Sequence, residues 1–296
     1  MRHGTYSIVA RDPETGDLGV AVQSHWFSVG SVVSWAQAGT GAVATQSVAE
    51  PAYGPRALER MAAGDAAPEA LRVLLEEDPL ARVRQVACVD AMGRIGVHTG
   101  EDCIPFADHV SGDGYSCQAN MMASKTVPVT MAGAFEAADG DLAGRLLAAL
   151  EAAETAGGDV RGRQSAALLV VPGDGDAWRT RVDLRVEDHP DPIAELGRIL
   201  RLQRAYDLAG EADELMGAER HEEAGPLYRR AAEIAPESDE LHFWAGLALA
   251  QGGDLEAGVA SVRRAADKNP GWLVLLDRLS PEFAPAGDAV RSALSR

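Results

Sequence analysis

The sequence predicts a mixed α+β protein: a layered sandwich with helices outside its sheets, followed by an all-helical region. Three observations predict it. Short strand-forming runs come in groups with paired helical patterns between them, and β-α-β alternation is absent, which excludes a doubly wound fold. The stretch His189-Pro-Asp-Pro192 marks a boundary, after which the pattern is helical to the end. That remainder repeats with a period of 34 residues: Glu222 recurs as Glu256, Arg229-Arg230-Ala231-Ala232 as Arg263-Arg264-Ala265-Ala266, and Pro236 as Pro270. The expected domains are residues 1–190 and 191–296.

Taken in order, Thr5–Ala10 and Leu18–Gln23 are β-rich runs joined by the turn formers of residues 11–17, a hairpin signal. Short strands are expected over Ser31–Ala36 and Gly39–Thr45. Helices follow from Tyr53, with Pro55 at an early helical position and Gly64 as the stop, and over Pro68–Glu77, with Ala70, Leu71, Leu74 and Leu75 at helical spacing. Strands return at Arg84–Asp90 and Ile95–Thr99. Residues 111–120 read as a polar, glycine-containing loop entering a strand. Two more helices, Val127–Ala137 and Asp141–Ala156, stop at Gly157-Gly158, and two apolar strands, Ser165–Val171 and Arg179–Val186, close the first part.

Composition bounds the function. The chain has 296 residues, enough for about two domains. With 45 acidic against 27 basic residues its formal net charge is -18, which argues against nucleic acid or an anionic membrane as partner. Cys88, Cys103 and Cys117 are odd in number without CxxC spacing and read as reduced thiols of a cytoplasmic protein. No signal peptide and no membrane span are expected. His98, Cys103 and His109 cluster in sequence, but their spacing matches no zinc pattern, so neither metal nor cofactor is expected.

The residue that carries chemistry stands at the head of the first strand. Thr5, preceded by Gly4, reads two ways: as an ordinary strand residue, or as a nucleophile whose own freed amine serves as base. The amine of such a residue titrates near about 7.7–8.0, well placed to accept the hydroxyl proton. Asn120 or the backbone amides of Ser111-Gly112-Asp113-Gly114 are the expected oxyanion donors, and Asp12 and Asp113 read either as orienting the amine or as capping their turns. Ser7 shares a strand face with Thr5 and either supports the site or packs. Ser24, Ser111 and Gly112 are further expected substrate contacts. Arg56 and Arg161 can each grip a substrate carboxylate in bidentate fashion.

The stretches 5–12, 19–24, 53–56, 111–114 with 118–120, 162–167 and 182–191 run in order over about 185 residues and resemble the DUF1028 family of bacterial and archaeal proteins, placed among the N-terminal-nucleophile (Ntn) hydrolases. That resemblance implies a four-layer αββα sandwich and amide hydrolysis by an N-terminal Thr, Ser or Cys exposed by processing, here by self-cleavage between Gly4 and Thr5. Gly4-Thr5, the Ser111 loop and the strand after Gly157-Gly158 are also similar to proteasome-type β subunits. The acid and lysine partners of that type have no clear counterpart; Ser24-His25-Trp26 occupies the lysine's nearest place, where His25 can assist proton transfer. The 34-residue repeat is similar to tetratricopeptide units. Two functions stay open: an amidohydrolase acting on a small amide or peptide-like substrate, whose repeat helices bind a protein partner or a second copy of the chain, and a non-catalytic scaffold working through those helices.

Overall fold

A computed structural model describes residues 4–218 and 220–295. The chain divides into two compact units, Met1–Gly197 and Arg198–Arg296.

The first unit is built on two antiparallel sheets. Its elements are β1 (Thr5–Arg11), β2 (Leu18–Ser24), α1 (Gly30–Val33), β3 (Ser34–Gln37), β4 (Gly41–Ser47), α2 (Tyr53–Ala62), α3 (Ala67–Glu77), β5 (Arg84–Asp90), β6 (Ile95–Thr99), β7 (Asp108–Gly112), β8 (Tyr115–Asn120), α4 (Val127–Ala137), α5 (Leu142–Thr155), β9 (Ser165–Val171) and β10 (Val182–Val186). One sheet has the order β10-β9-β2-β1-β8-β7, the other β3-β4-β5-β6. In β1 the parity of side chains divides the labour. Val9 faces the second sheet in an apolar cluster with Val20, Val22, Ala42, Ala44, Ala87 and Val89. Tyr6 faces the opposite way and its hydroxyl donates to Glu154 on α5. Helices α4 and α5 cover the outer face of the six-stranded sheet. The outer face of the four-stranded sheet packs through Val43, Val86 and Cys88 against Tyr53, Leu58, Leu71 and Leu74 of α2 and α3. The α+β expectation therefore stands, with helices on both outer faces.

Three local expectations are corrected. Residues 31–36 do not form one strand: Gly30–Val33 is a helical turn and the strand starts at Ser34. The β-branched pair Val32-Val33 suggests a strand, but Ser28 adopts φ 56° and turns the chain into that helical turn, where Val29 and Val33 enter the core. The last strand begins at Val182 rather than Arg179. Ser111 and Gly112 belong to strand β7, which forms a hairpin with β8 through Asp113 and Gly114; Gly114, at φ 72°, supplies the left-handed turn.

In the second unit, α6 (Pro192–Gly217) crosses the unit boundary and leads into α7 (His221–Ile234), α8 (Asp239–Gln251), α9 (Leu255–Lys268), α10 (Gly271–Arg278) and α11 (Gly287–Leu294). The helix starting at His221 is followed 34 positions later by one starting at Leu255, the period seen in the sequence. Helices α8 and α9 approach closely where Gly246 meets Gly258: a Cβ on Gly246 would lie 2.7 Å from the Gly258 carbonyl oxygen. Among the described residues no helix is long and apolar enough to cross a membrane.

Candidate active site around Thr5

The space between the two sheets changes character along its length. The inward positions near the β1–β2 turn are apolar, whereas those at the other end are Thr5, Ser7, Ser24, Gln46, Gln85, Gln118 and Asn120, all fully buried. Strand register gathers them: Thr5 lies opposite Ser24 on one side and Asn120 on the other, and Ser7 opposite Gln118. Buried polar groups must find partners, and these mostly do so among themselves. Ser7 Oγ donates to Gln46 Oε1 at 2.7 Å and accepts from Gln118 Nε2 at 2.6 Å. Gln46 Nε2 donates to Gln85 Oε1 at 2.8 Å, which also accepts from Asn120 Nδ2 at 3.0 Å. The main-chain carbonyl of Thr5 accepts from Gln46 Nε2 at 3.3 Å and Asn120 Nδ2 at 3.4 Å. Asn120 Oδ1 is left buried without a partner.

The Gly4–Thr5 peptide bond sits at the head of this network. Thr5 Oγ1 donates to Ser24 Oγ at 3.1 Å, and Ser24 Oγ in turn donates to the Gly4 carbonyl oxygen at 2.5 Å. Arg161 Nη2 donates to the same oxygen at 2.8 Å. Arg161 is fixed by Asp159, whose carboxylate takes Arg161 Nε at 3.1 Å and Nη2 at 2.7 Å and is itself fully buried. The main-chain N–H of His25 also donates to Asp159, at 3.2 Å. One carbonyl thus receives a hydroxyl and a guanidinium, the second charge-assisted, with the neighbouring threonine hydroxyl one hydrogen bond away.

Backbone strain gathers at the same end. Ser47 (φ 72°) follows Gln46 on β4, Met121 (φ 59°) follows Asn120 on β8, and Ser28 lies in the loop after Ser24. Non-glycine residues held in this region cost about 1–3 kcal/mol each and tend to cluster at functional sites.

The structure sorts the residues expected from the sequence. Thr5, Ser24, Asn120 and Arg161 come together. Ser111, Gly112 and Asp113 do not: Asn120 pairs with Thr5 while Tyr115 pairs with Ala10, so the β7–β8 turn lies at the opposite end of β8, roughly 20 Å away at strand rise. It packs on β1's far end, where Arg11 N–H donates to the Gly114 carbonyl at 2.8 Å. Asp12 is also at that end, capping its own turn by accepting from Glu14 and Thr15 N–H. His25 is near in the chain, but its ring Nδ1 is 3.3 Å from the Arg163 carbonyl oxygen and engages no group of the Thr5 cluster. Arg56 sits on α2, paired with Glu77 at 2.5 Å, and lines a cleft of about 330 Å³ with Tyr53, Asp78 and Arg84 on the outer side of the four-stranded sheet. The nucleophile candidate Thr5 is not among the residues of that cleft.

Sequence reasoning missed Gln46, Gln85, Gln118 and Asp159. A signal existed for Gln46 and Gln85: each shares the inward face of its strand with apolar residues, Ala42 and Ala44 in one case, Ala87 and Val89 in the other. Asp159 carries no such signal, because a loop brings it to Gly4.

Fold and site together define a two-sheet α+β protein with a buried polar cluster around the first strand's leading threonine. The model of DUF1028, a family of unknown function, matches residues 5–196, and the chain belongs to that family. A crystal structure of a DUF1028 protein from Silicibacter pomeroyi is similar at 32% identity with a TM-score of 0.61, covering 67% of this chain and 88% of that one. Anbu, the ancestral beta-subunit from Yersinia bercovieri, aligns at 13% identity with a TM-score of 0.34, over 72% of this chain and 96% of its own. No curated protein matches the chain.

Proposed function

We propose that the protein is an Ntn-type amidohydrolase that frees Thr5 by cutting its own Gly4–Thr5 bond and then hydrolyses a small amide or peptide-like substrate. The observation that carries this reading is the Gly4 carbonyl held by Ser24 and Arg161 beside the Thr5 hydroxyl. Two antiparallel sheets between helical layers, with the threonine heading a central strand, fit the αββα sandwich of such enzymes.

In the processing step Thr5 Oγ1 attacks the Gly4 carbonyl carbon. The hydroxyl proton is transferred to the Thr5 nitrogen as the C–N bond breaks. The chain is then held by an ester on Thr5 Oγ1, and the developing oxyanion is stabilised by Arg161 and Ser24. Water hydrolyses the ester, releasing a Gly4 carboxylate and restoring the hydroxyl beside a free α-amine. In turnover that amine takes the Oγ1 proton, the substrate acyl group moves to Oγ1, and the leaving amine receives the proton before water clears the ester. Asn120 Oδ1, which has no partner in the uncleaved chain, is the acceptor that would orient the new amine.

Intact-mass measurement tests the reading. Purified protein should yield a species beginning at Thr5, and Thr5→Ala should stay whole and hydrolyse no amide. A wild-type chain that stays intact under all conditions, with Thr5→Ala indistinguishable from it in an amide screen, would falsify the enzyme and leave the scaffold. We further propose that the second unit is tetratricopeptide-like and binds a protein partner, a reading supported by its 34-residue helical period.

A further inference from the structure

The seat that Gly4 occupies is built for one kind of residue. A Cβ placed on Gly4 would lie 2.8 Å from both carboxylate oxygens of Asp159 and 3.0 Å from Arg161 Nη2. Carbon contacts that short do not occur without something giving way. Asp159 has little room to give: it is fully buried and accepts from the main-chain N–H groups of His25 and Arg161 as well as from the guanidinium. The wall beside the Gly4 α-carbon is therefore rigid, polar and ionic. The adjoining carbonyl meets the two donors already described, and Thr5 Oγ1 shares the Ser24 hydroxyl with it.

We propose that this seat is the acyl subsite of the mature protein: Ser24 and Arg161 hold the carbonyl under attack, and Asp159 limits the site to acyl groups whose α-carbon bears no side chain, as in N-acylglycyl amides. The inference rests on the Ntn reading, because it requires Gly4 to leave and Thr5 Oγ1 to attack in both reactions. The same nucleophile needs the same carbonyl donors, so an incoming acyl group takes the place the departed glycine held. Arg161 then acts on the reacting carbonyl oxygen rather than on a substrate carboxylate. Asp159 is a positioning residue that fixes Arg161 and walls the α-carbon.

Two measurements test the seat. In the full chain, Gly4→Ala should slow appearance of the Thr5 species by about 10-fold or more, the scale at which a pocket discriminates one added carbon. Ser24→Ala and Arg161→Met should each slow it by about 100-fold or more, the typical loss of one oxyanion donor. Arg161→Lys, which keeps the charge but not the fork, should recover part of that loss, and unchanged thermal midpoints would show that these variants fold. In a chain encoded to begin Met-Thr5, whose Met is removed in the cell, Thr5 is exposed without self-cleavage. Thermal-shift titration of that form should show N-acetylglycinal, an aldehyde that adds to a reactive hydroxyl, binding at least about 10-fold more tightly than N-acetyl-L-alaninal. Equal binding of the two aldehydes, binding of neither, or wild-type processing of Gly4→Ala overturns the subsite while the hydrolase stands on its Thr5 species. A wild-type chain that never yields that species overturns the hydrolase itself.

Discussion

Gln46 shows how much a single buried amide can hold. Its oxygen accepts from Ser7, and its nitrogen reaches Gln85 and the Thr5 carbonyl. Replacing it with leucine of similar bulk strands those groups away from water, and an unsatisfied buried donor or acceptor costs about 1–3 kcal/mol. We expect Gln46→Leu to lower the urea midpoint by a corresponding amount and, by loosening Thr5, to slow processing; an unchanged midpoint would mean the network contributes nothing. The thiols show burial acting on protonation. Burial pushes Cys88 up to about 12 and Cys117 upward as well, so neither is a nucleophile near neutral pH. Both should resist a thiol reagent at pH 8 and react once urea unfolds the chain. A proton held more tightly in the fold than in the unfolded chain stabilises the fold fully below the ordinary thiol value of about 9 and ceases to do so as pH rises towards 12. Tyr6 acts in the same direction: burial first, then Glu154, holds its phenol well above the usual 10. Urea midpoints should therefore fall between pH 9 and 12.

At the scale of elements, register does the assembling. Thr5, Ser24 and Asn120 are distant in sequence, yet pairing of β1 with β2 and with β8 sets them side by side. A one-residue slip would turn the polar positions outward and drive Tyr6 between the sheets, so the register is held by burial on both faces. Helix α5 closes the outer face because Gly19 lets it approach: a Cβ there would lie 2.6 Å from Leu146. The helices of the second unit show the same device. Gly246→Ala on α8 would force its Cβ against the Gly258 carbonyl on α9, and backbone, unlike a side chain, cannot turn away. Overpacking of this kind costs about 1–3 kcal/mol. It should lower the unfolding temperature of residues 198–296 and leave that of residues 1–197 unchanged, as separate calorimetric transitions would report.

For the whole molecule, the two compact units carry separate cores. The first buries an inter-sheet cluster around Val20 and Val89, the second a helical cluster around Tyr228 and Leu241. A chain of residues 1–197 should fold alone and retain processing at Thr5, since every group named in that step belongs to the first unit. If the second unit binds a protein partner, capture of that partner should vanish in the shortened chain; undiminished capture would move the interaction to the sandwich.

By itself the sequence determined most of the elements and their class. The runs Arg84–Asp90, Ile95–Thr99, Val127–Ala137 and Ser165–Val171 were legible to the residue, because period and turn formers are local properties of the chain. It also marked Thr5, Asn120, Ser24 and Arg161 as residues able to do chemistry. Which candidates meet was decided by tertiary structure alone. The Ser111–Gly114 stretch looks like an oxyanion loop in one dimension, but its hairpin points the turn to the wrong end of β8. Asp159 and Gln118 look ordinary, yet the first shapes the seat of Gly4 and the second donates to the Ser7 hydroxyl beside it in the buried network. The physical reason is that a strand's residues carry no record of their neighbours across the sheet. Register, and the loop that returns Asp159 and Arg161 to the head of β1, exist only once both sheets are packed.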